Sequence, residues 1–97
     1  MPTFAYRILP PREAFAATIT PEEMAVMGRH WEHLQALHAE GAVRFVGRAE
    51  NGDYGLCVLD APDEKEARRV AESDPAVAEG LMRLELHAFA VVIDLPA

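Results

Sequence analysis

The sequence predicts an α+β fold: a four-stranded antiparallel sheet with both main helices on one face, in the chain order βαββαβ. Three observations lead there. An alternating apolar segment opens the chain at Thr3–Leu9. A helix start, Thr20-Pro21-Glu22-Glu23, precedes a long stretch of helical periodicity that closes at Gly41. An Asn51-Gly52 turn then separates two short strand-like runs. The 97 residues amount to one small domain, residues 1–97.

In the first strand, Phe4, Tyr6 and Ile8 point one way and Ala5, Arg7 and Leu9 the other. Pro10-Pro11 ends it, because proline cannot donate to a ladder. Residues 12–19 have no clean period and read as a loop. Thr20 caps the first helix, Pro21 fits its first position, and Glu23 completes a capping box. The helix runs to about Glu40, where Gly41 supplies a left-handed stop. At about 100° per residue, Met24, Met27, Trp31, Leu34, Leu37 and His38 share a broad face. His30 lies inside that arc and His33 on its flank.

Strand 2 covers residues 42–49, with Val43, Phe45 and Gly47 opposite Arg44, Val46 and Arg48. Strand 3 covers 54–60. Asp60 is expected to cap a second helix over about 62–73, whose apolar stripe is Ala67, Val70 and Ala71. Asp74-Pro75 breaks that helix, and residues 76–81 make one further turn. Strand 4 covers 83–93, and Pro96 closes the chain. Two split βαβ units in this order give the ferredoxin-like arrangement. Strand 4 carries Leu84, Leu86, Ala88, Ala90 and Val92 on one side, and Phe89, Val91 and Ile93 beside Glu85 and His87 on the other. An apolar sheet face is thus left uncovered, which predicts a homodimer packed sheet to sheet as an α+β barrel.

Acidic residues outnumber basic ones 16 to 9, a net charge of −7. A phosphate-backbone binder needs a basic face, so no nucleic-acid partner is expected. A single cysteine, Cys57, excludes an internal disulfide framework and a thiolate zinc cluster. No apolar run approaches the roughly 18–20 residues that span a membrane. The N-terminus has no basic start, long apolar run or small-residue cleavage site, so no signal peptide is expected and the protein is placed in the cytoplasm.

His30 is the most informative polar residue. One reading is a core-edge histidine satisfied by a carbonyl. The other is a general acid or base, since imidazole titrates near neutral pH, oriented by a carboxylate. Asp74 is the candidate orienting group, since in a ferredoxin-like fold the end of the second helix can reach the middle of the first, though spacing alone does not place it there; its other reading is an Asp-Pro turn and cap. Arg44 and Arg48, with Arg7 beside them, form a candidate anion-binding set, or else an ion-paired strand face. His30-Trp31-Glu32-His33 does not have the geometry of a metal site: His33 is turned about 60° from His30. Cys57 reads as a small buried apolar residue and Trp31 as core. There is no phosphate-cradling glycine loop and no nucleophile elbow.

The run from Met1-Pro2-Thr3-Phe4-Ala5-Tyr6-Arg7-Ile8-Leu9-Pro10-Pro11-Arg12, followed by Phe15, Thr20, Met27, His30, Gly41, Gly47, Gly55, Ala67-Arg68, Asp74-Pro75 and Glu85, resembles the YciI-like (YCII-related) family over essentially the whole chain. The resemblance implies a ferredoxin-like fold, a dimeric α+β barrel, and His30 with Asp74 as the active-site pair in a cleft near the dimer interface. It also implies acid–base or lyase-like chemistry, with a link to dehydrochlorination of hydroxylated aromatics. Three positions depart from the common pattern, one of them Ala88-Phe89 in strand 4, where the family often has proline before the Phe or Met. Gly47 is followed by Arg48 rather than proline, and Gly28-Arg29 stands ahead of the histidine. The expected activity is a small enzyme, needing no metal or organic cofactor, that acts on an anionic or phenolic metabolite. The rival is a non-catalytic ligand-binding or accessory module on the same barrel.

Overall fold

The first strand, β1 (Thr3–Leu9), has neighbours on both sides: β3 (Gly55–Asp60) and β4 (Arg83–Ala88). The edge strand β2 (Val43–Arg48) pairs with β3, giving the order β2-β3-β1-β4 with every neighbour antiparallel. This is the ferredoxin-like order expected from two split βαβ units. The structure is a computed structural model that describes residues 1–94; Pro96 lies outside the described residues. Among the described residues, four helical segments connect the strands: α1 (Phe15–Thr18), α2 (Pro21–Ala39), α3 (Glu64–Glu72) and α4 (Pro75–Ala78).

The core lies between the sheet and the helices. Phe4, Tyr6 and Ile8 of β1 pack with Cys57 and Leu59 of β3 beneath Leu34 of α2. Ala67, Ala71 and Ala76 are fully buried on α3 and α4. Their short side chains let these helices sit close on the strands, and any larger residue there would overpack. The capping box at α2 forms as expected: Thr20 Oγ1 accepts from the Glu23 amide, and Glu23 Oε1 accepts from the Thr20 amide. Gly41 adopts φ 79°, the left-handed conformation that ends the helix.

Five expectations are corrected. Residues 12–19 are not all loop, because the buried Phe15 anchors the short helix α1. Arg12 clasps this segment to α2 by bonding the Thr18 carbonyl and both oxygens of Glu23. The cap of α3 is Asp63, which accepts from the Glu66 amide at 2.8 Å. Asp60 stays in the sheet, where Thr3 and Arg44 occupy its carboxylate. β4 ends at Ala88 rather than at 93. Ala88 already pairs with Phe4, the Phe89 amide takes the Thr3 carbonyl, and the Pro2 carbonyl is used by Ala61, so no strand remains to pair with.

In β2 the expected alternation breaks. The strand's register shifts between Val43 and Phe45: Val43 pairs with Leu59, but Phe45 pairs with Val58. Arg44 is the extra residue of a β-bulge, and everything after it changes face. Val46 and Arg48 therefore turn to the helix side, opposite Cys57 and Gly55, while Arg44 stays on the far side with Asp60.

Lastly, the sheet face away from the helices is more polar than expected. It carries the Arg7–Glu85 pair and the Thr3–Asp60–Arg44–Asp94 chain of bonds, beside the half-exposed Phe45. Phe89, Val91 and Ile93 do not extend it as a strand.

Candidate active site

The core is closed beneath α3 and α4 but not beneath the first half of α2. There the helix, the 10–19 segment and the β2 side of the sheet enclose an apolar cavity of about 730 Å³. Met24 and Trp31, expected in the core, stand at its rim and are more than half exposed. Leu34, one turn further along α2, reaches the sheet and is buried.

His30 lines this cavity. Its Nδ1 lies 2.7 Å from Asp74 Oδ2 and 2.8 Å from Oδ1. The pair joins the middle of α2 to the start of α4, 44 residues apart in sequence. Asp74 is wholly buried and accepts two further bonds, from the Ala76 amide to Oδ1 and from the Tyr6 hydroxyl to Oδ2, each at 2.9 Å. It caps α4, with Pro75 at the first helical position, and it faces His30.

Burial by itself pushes the Asp74 carboxyl up. The hydrogen bond and charge of His30, then the Ala76 amide and the Tyr6 hydroxyl, outweigh it and hold the group below its ordinary value. Asp74 is therefore a carboxylate at neutral pH. Tyr6 is pushed far above the ordinary tyrosine value, first by burial and then by Cys57 and Asp74, so its hydroxyl stays protonated and donates. With Nδ1 turned to a carboxylate, Nε2 is the ring nitrogen left to meet a ligand. A buried, fully satisfied carboxylate behind an imidazole at an apolar cavity can orient the ring and stabilise the imidazolium formed when the ring takes a proton.

By alternation alone Tyr6 reads as one of three apolar residues on β1. The available signal was its hydroxyl, since a buried tyrosine O–H needs a partner. Cys57 pairs with Tyr6 across β1 and β3, and burial pushes its thiol up to about 12.

The three arginines are not brought together. Arg7 bonds Glu85 through Nε and Nη2 on the open sheet face, with its guanidinium 4.9 Å from the Tyr54 ring centre. Arg44 is held on the same face by Asp60 and Asp94. Only Arg48 joins His30 at the cavity, because the bulge moves it there. The imidazole of His33 is half-buried, and its Nε2 has no hydrogen-bond partner among the described residues. Among the described residues, no group of three His, Cys, Asp or Glu side chains is placed to hold a metal ion, and no helix is long and apolar enough to cross a membrane.

A family model, the YCII-related domain, matches residues 4–89. No functionally curated protein matches the sequence. Among solved structures, the chain is similar to 5-chloro-2-hydroxyhydroquinone dehydrochlorinase (TftG) from Burkholderia phenoliruptrix AC1100 in complex with 2,5-dihydroxybenzoquinone. The TM-score is 0.66 at 13% identity, over 90% of this chain and 93% of that one. It is also similar to muconolactone isomerase, with a TM-score of 0.72 at 15% identity, over 98% of this chain and 96% of the other. At these identities the likeness is one of fold.

Proposed function

The chain belongs to the YCII-related family, and we propose that it is a small acid–base enzyme acting, without metal or organic cofactor, on an anionic or phenolic metabolite. The observation that carries this reading is the 2.7 Å bond between His30 Nδ1 and the buried Asp74 carboxylate, at the wall of an apolar cavity. Nε2 takes a proton from the bound metabolite, and the resulting imidazolium is stabilised by Asp74 and can return the proton. The electron pair left on the substrate expels a leaving group or shifts a double bond. Loss of a proton and of chloride, the reaction in the name of the similar dehydrochlorinase, is one case of this lyase-like chemistry.

The working unit is a homodimer in the cytoplasm, joined through the open sheet face around Phe45 and Leu9. Light scattering should give twice the protomer mass at micromolar concentration; a clean monomer refutes this part of the proposal.

The test of the chemistry is a thermal-shift screen of small acids and phenols, with chloride release from chlorinated hydroquinones followed in parallel, on the wild type and on His30→Ala. A ligand that is turned over by the wild type, and bound but not turned over by the variant, supports the acid–base role. Turnover unaffected by His30→Ala refutes it. Ligands that bind both proteins with no turnover by either favour a binding module.

A further inference from the structure

The protein carries 16 acidic side chains and a net charge of −7, yet among the described residues no Asp or Glu lines the His30 cavity. The described lining holds one permanent cation, Arg48, among apolar and aromatic residues such as Met24, Met27, Trp31 and Val46. Five other arginines, at positions 7, 12, 29, 44 and 69, are taken up by carboxylates. Arg48 is held differently, because its Nη1 donates to the Glu50 backbone carbonyl at a long 3.3 Å. Most of its fork of donors is therefore available to a second acceptor.

Its place follows from the bulge. Without the extra residue at Arg44, the alternation along β2 would put Arg48 on the open face. With it, Arg48 pairs with Gly55 on the helix side, two residues beyond the Val46–Cys57 pair. Cys57 in turn pairs with Tyr6, which bonds Asp74, the partner of His30. Strand spacing and rise then set the Arg48 backbone roughly 10 Å across the sheet and roughly 7 Å along it from Tyr6. The backbone that carries the cation is thus set apart on the sheet from the strand position that supports the Asp74–His30 pair, and both line one mostly apolar cavity.

We infer that the cavity selects an apolar monoanion, whose acidic group lies on the Arg48 guanidinium while its reacting end lies at His30. Guanidinium matches a carboxylate or phenolate bidentately, and the apolar walls exclude a second charge. A ring or short chain fills the space between the two ends. The place of the reacting end rests on the acid–base proposal above; the place of the acidic group does not.

The experiment compares phenylacetate with phenylacetamide, two probes of one shape that differ in charge, by calorimetric titration of wild type, Arg48→Gln and His30→Ala at low salt. The wild type should prefer the carboxylate by roughly 10-fold, the lower end for a charge-assisted bond because Arg48 is solvent-exposed. Arg48→Gln should abolish the preference and leave amide affinity unchanged. His30→Ala should keep it. Equal affinity of the wild type for both probes, or no binding of either at millimolar concentration, overturns the inference. So does a preference that survives Arg48→Gln. A preference lost in His30→Ala but kept in Arg48→Gln assigns the anion to the histidine and also overturns it. Failure of the acid–base proposal is separate: it leaves this charge preference intact and removes only turnover.

Discussion

Tyr6→Phe tests the buried network with little disturbance of packing. Phenylalanine keeps the ring of a side chain that is 1% exposed, so the change amounts to removing one hydroxyl. That hydroxyl donates to Asp74 Oδ2 at 2.9 Å. A buried hydrogen bond to a charged acceptor contributes about 1.5–3 kcal/mol, and Asp74 keeps the Ala76 amide and His30, so a loss of about 2 kcal/mol is expected at pH 7. For a domain of this size, the urea midpoint should fall by roughly 1–2 M.

The pH dependence gives a second check. The folded-state pKa of Asp74 is lowered, so its stabilising contribution is present above the unfolded value of about 3.9 and is lost as pH falls through the folded value. The Tyr6 hydroxyl helps to lower that pKa. Without it the folded value rises, so the variant's deficit is full at pH 7 and narrows only as pH falls through the variant's folded value towards the lower wild-type one. Far-UV circular dichroism across urea, at fixed protomer concentration, measures both. An unchanged midpoint at pH 7 refutes the bond. A deficit that stays constant while pH falls through the folded values of both proteins shows that the hydroxyl does not serve the ionised carboxylate.

Two further predictions follow from local features. Cys57 is 3% exposed and its thiol is pushed up to about 12, so iodoacetamide at pH 8 should leave the native protein unlabelled and label it fully in urea; native labelling at the rate of a free thiol contradicts the burial. Thr20→Ala removes the side-chain half of the α2 capping box and should cost about 1 kcal/mol, read from thermal unfolding, whereas a neutral change would mean that water serves the Glu23 amide equally well.

Much of the site could be read from the chain. The capping box and Gly41 fixed the phase and length of α2, and its periodicity put His30 on the inner side. The Asp-Pro break placed Asp74 at the end of the second helix, within reach. Local signals of this kind survive folding because they concern a residue and its near neighbours. The corrected elements depend on partners distant in sequence. The end of β4 was set by where β1 begins. Asp60 lost its capping role because Thr3 and Arg44 reached it first across the sheet.

The same distinction separates the two halves of the proposed site. Sequence by itself determined the βαββαβ order, the capped helix and the His30–Asp74 candidates, because side-chain period and turn chemistry are properties of short segments. Tertiary structure decided that Tyr6 completes the network and that Arg48, not Arg7 or Arg44, shares the cavity with His30. A single extra residue in β2 reverses the face of all that follow it. Whether a strand bulges is fixed by its pairing with a neighbour, which no period in the strand's own sequence records.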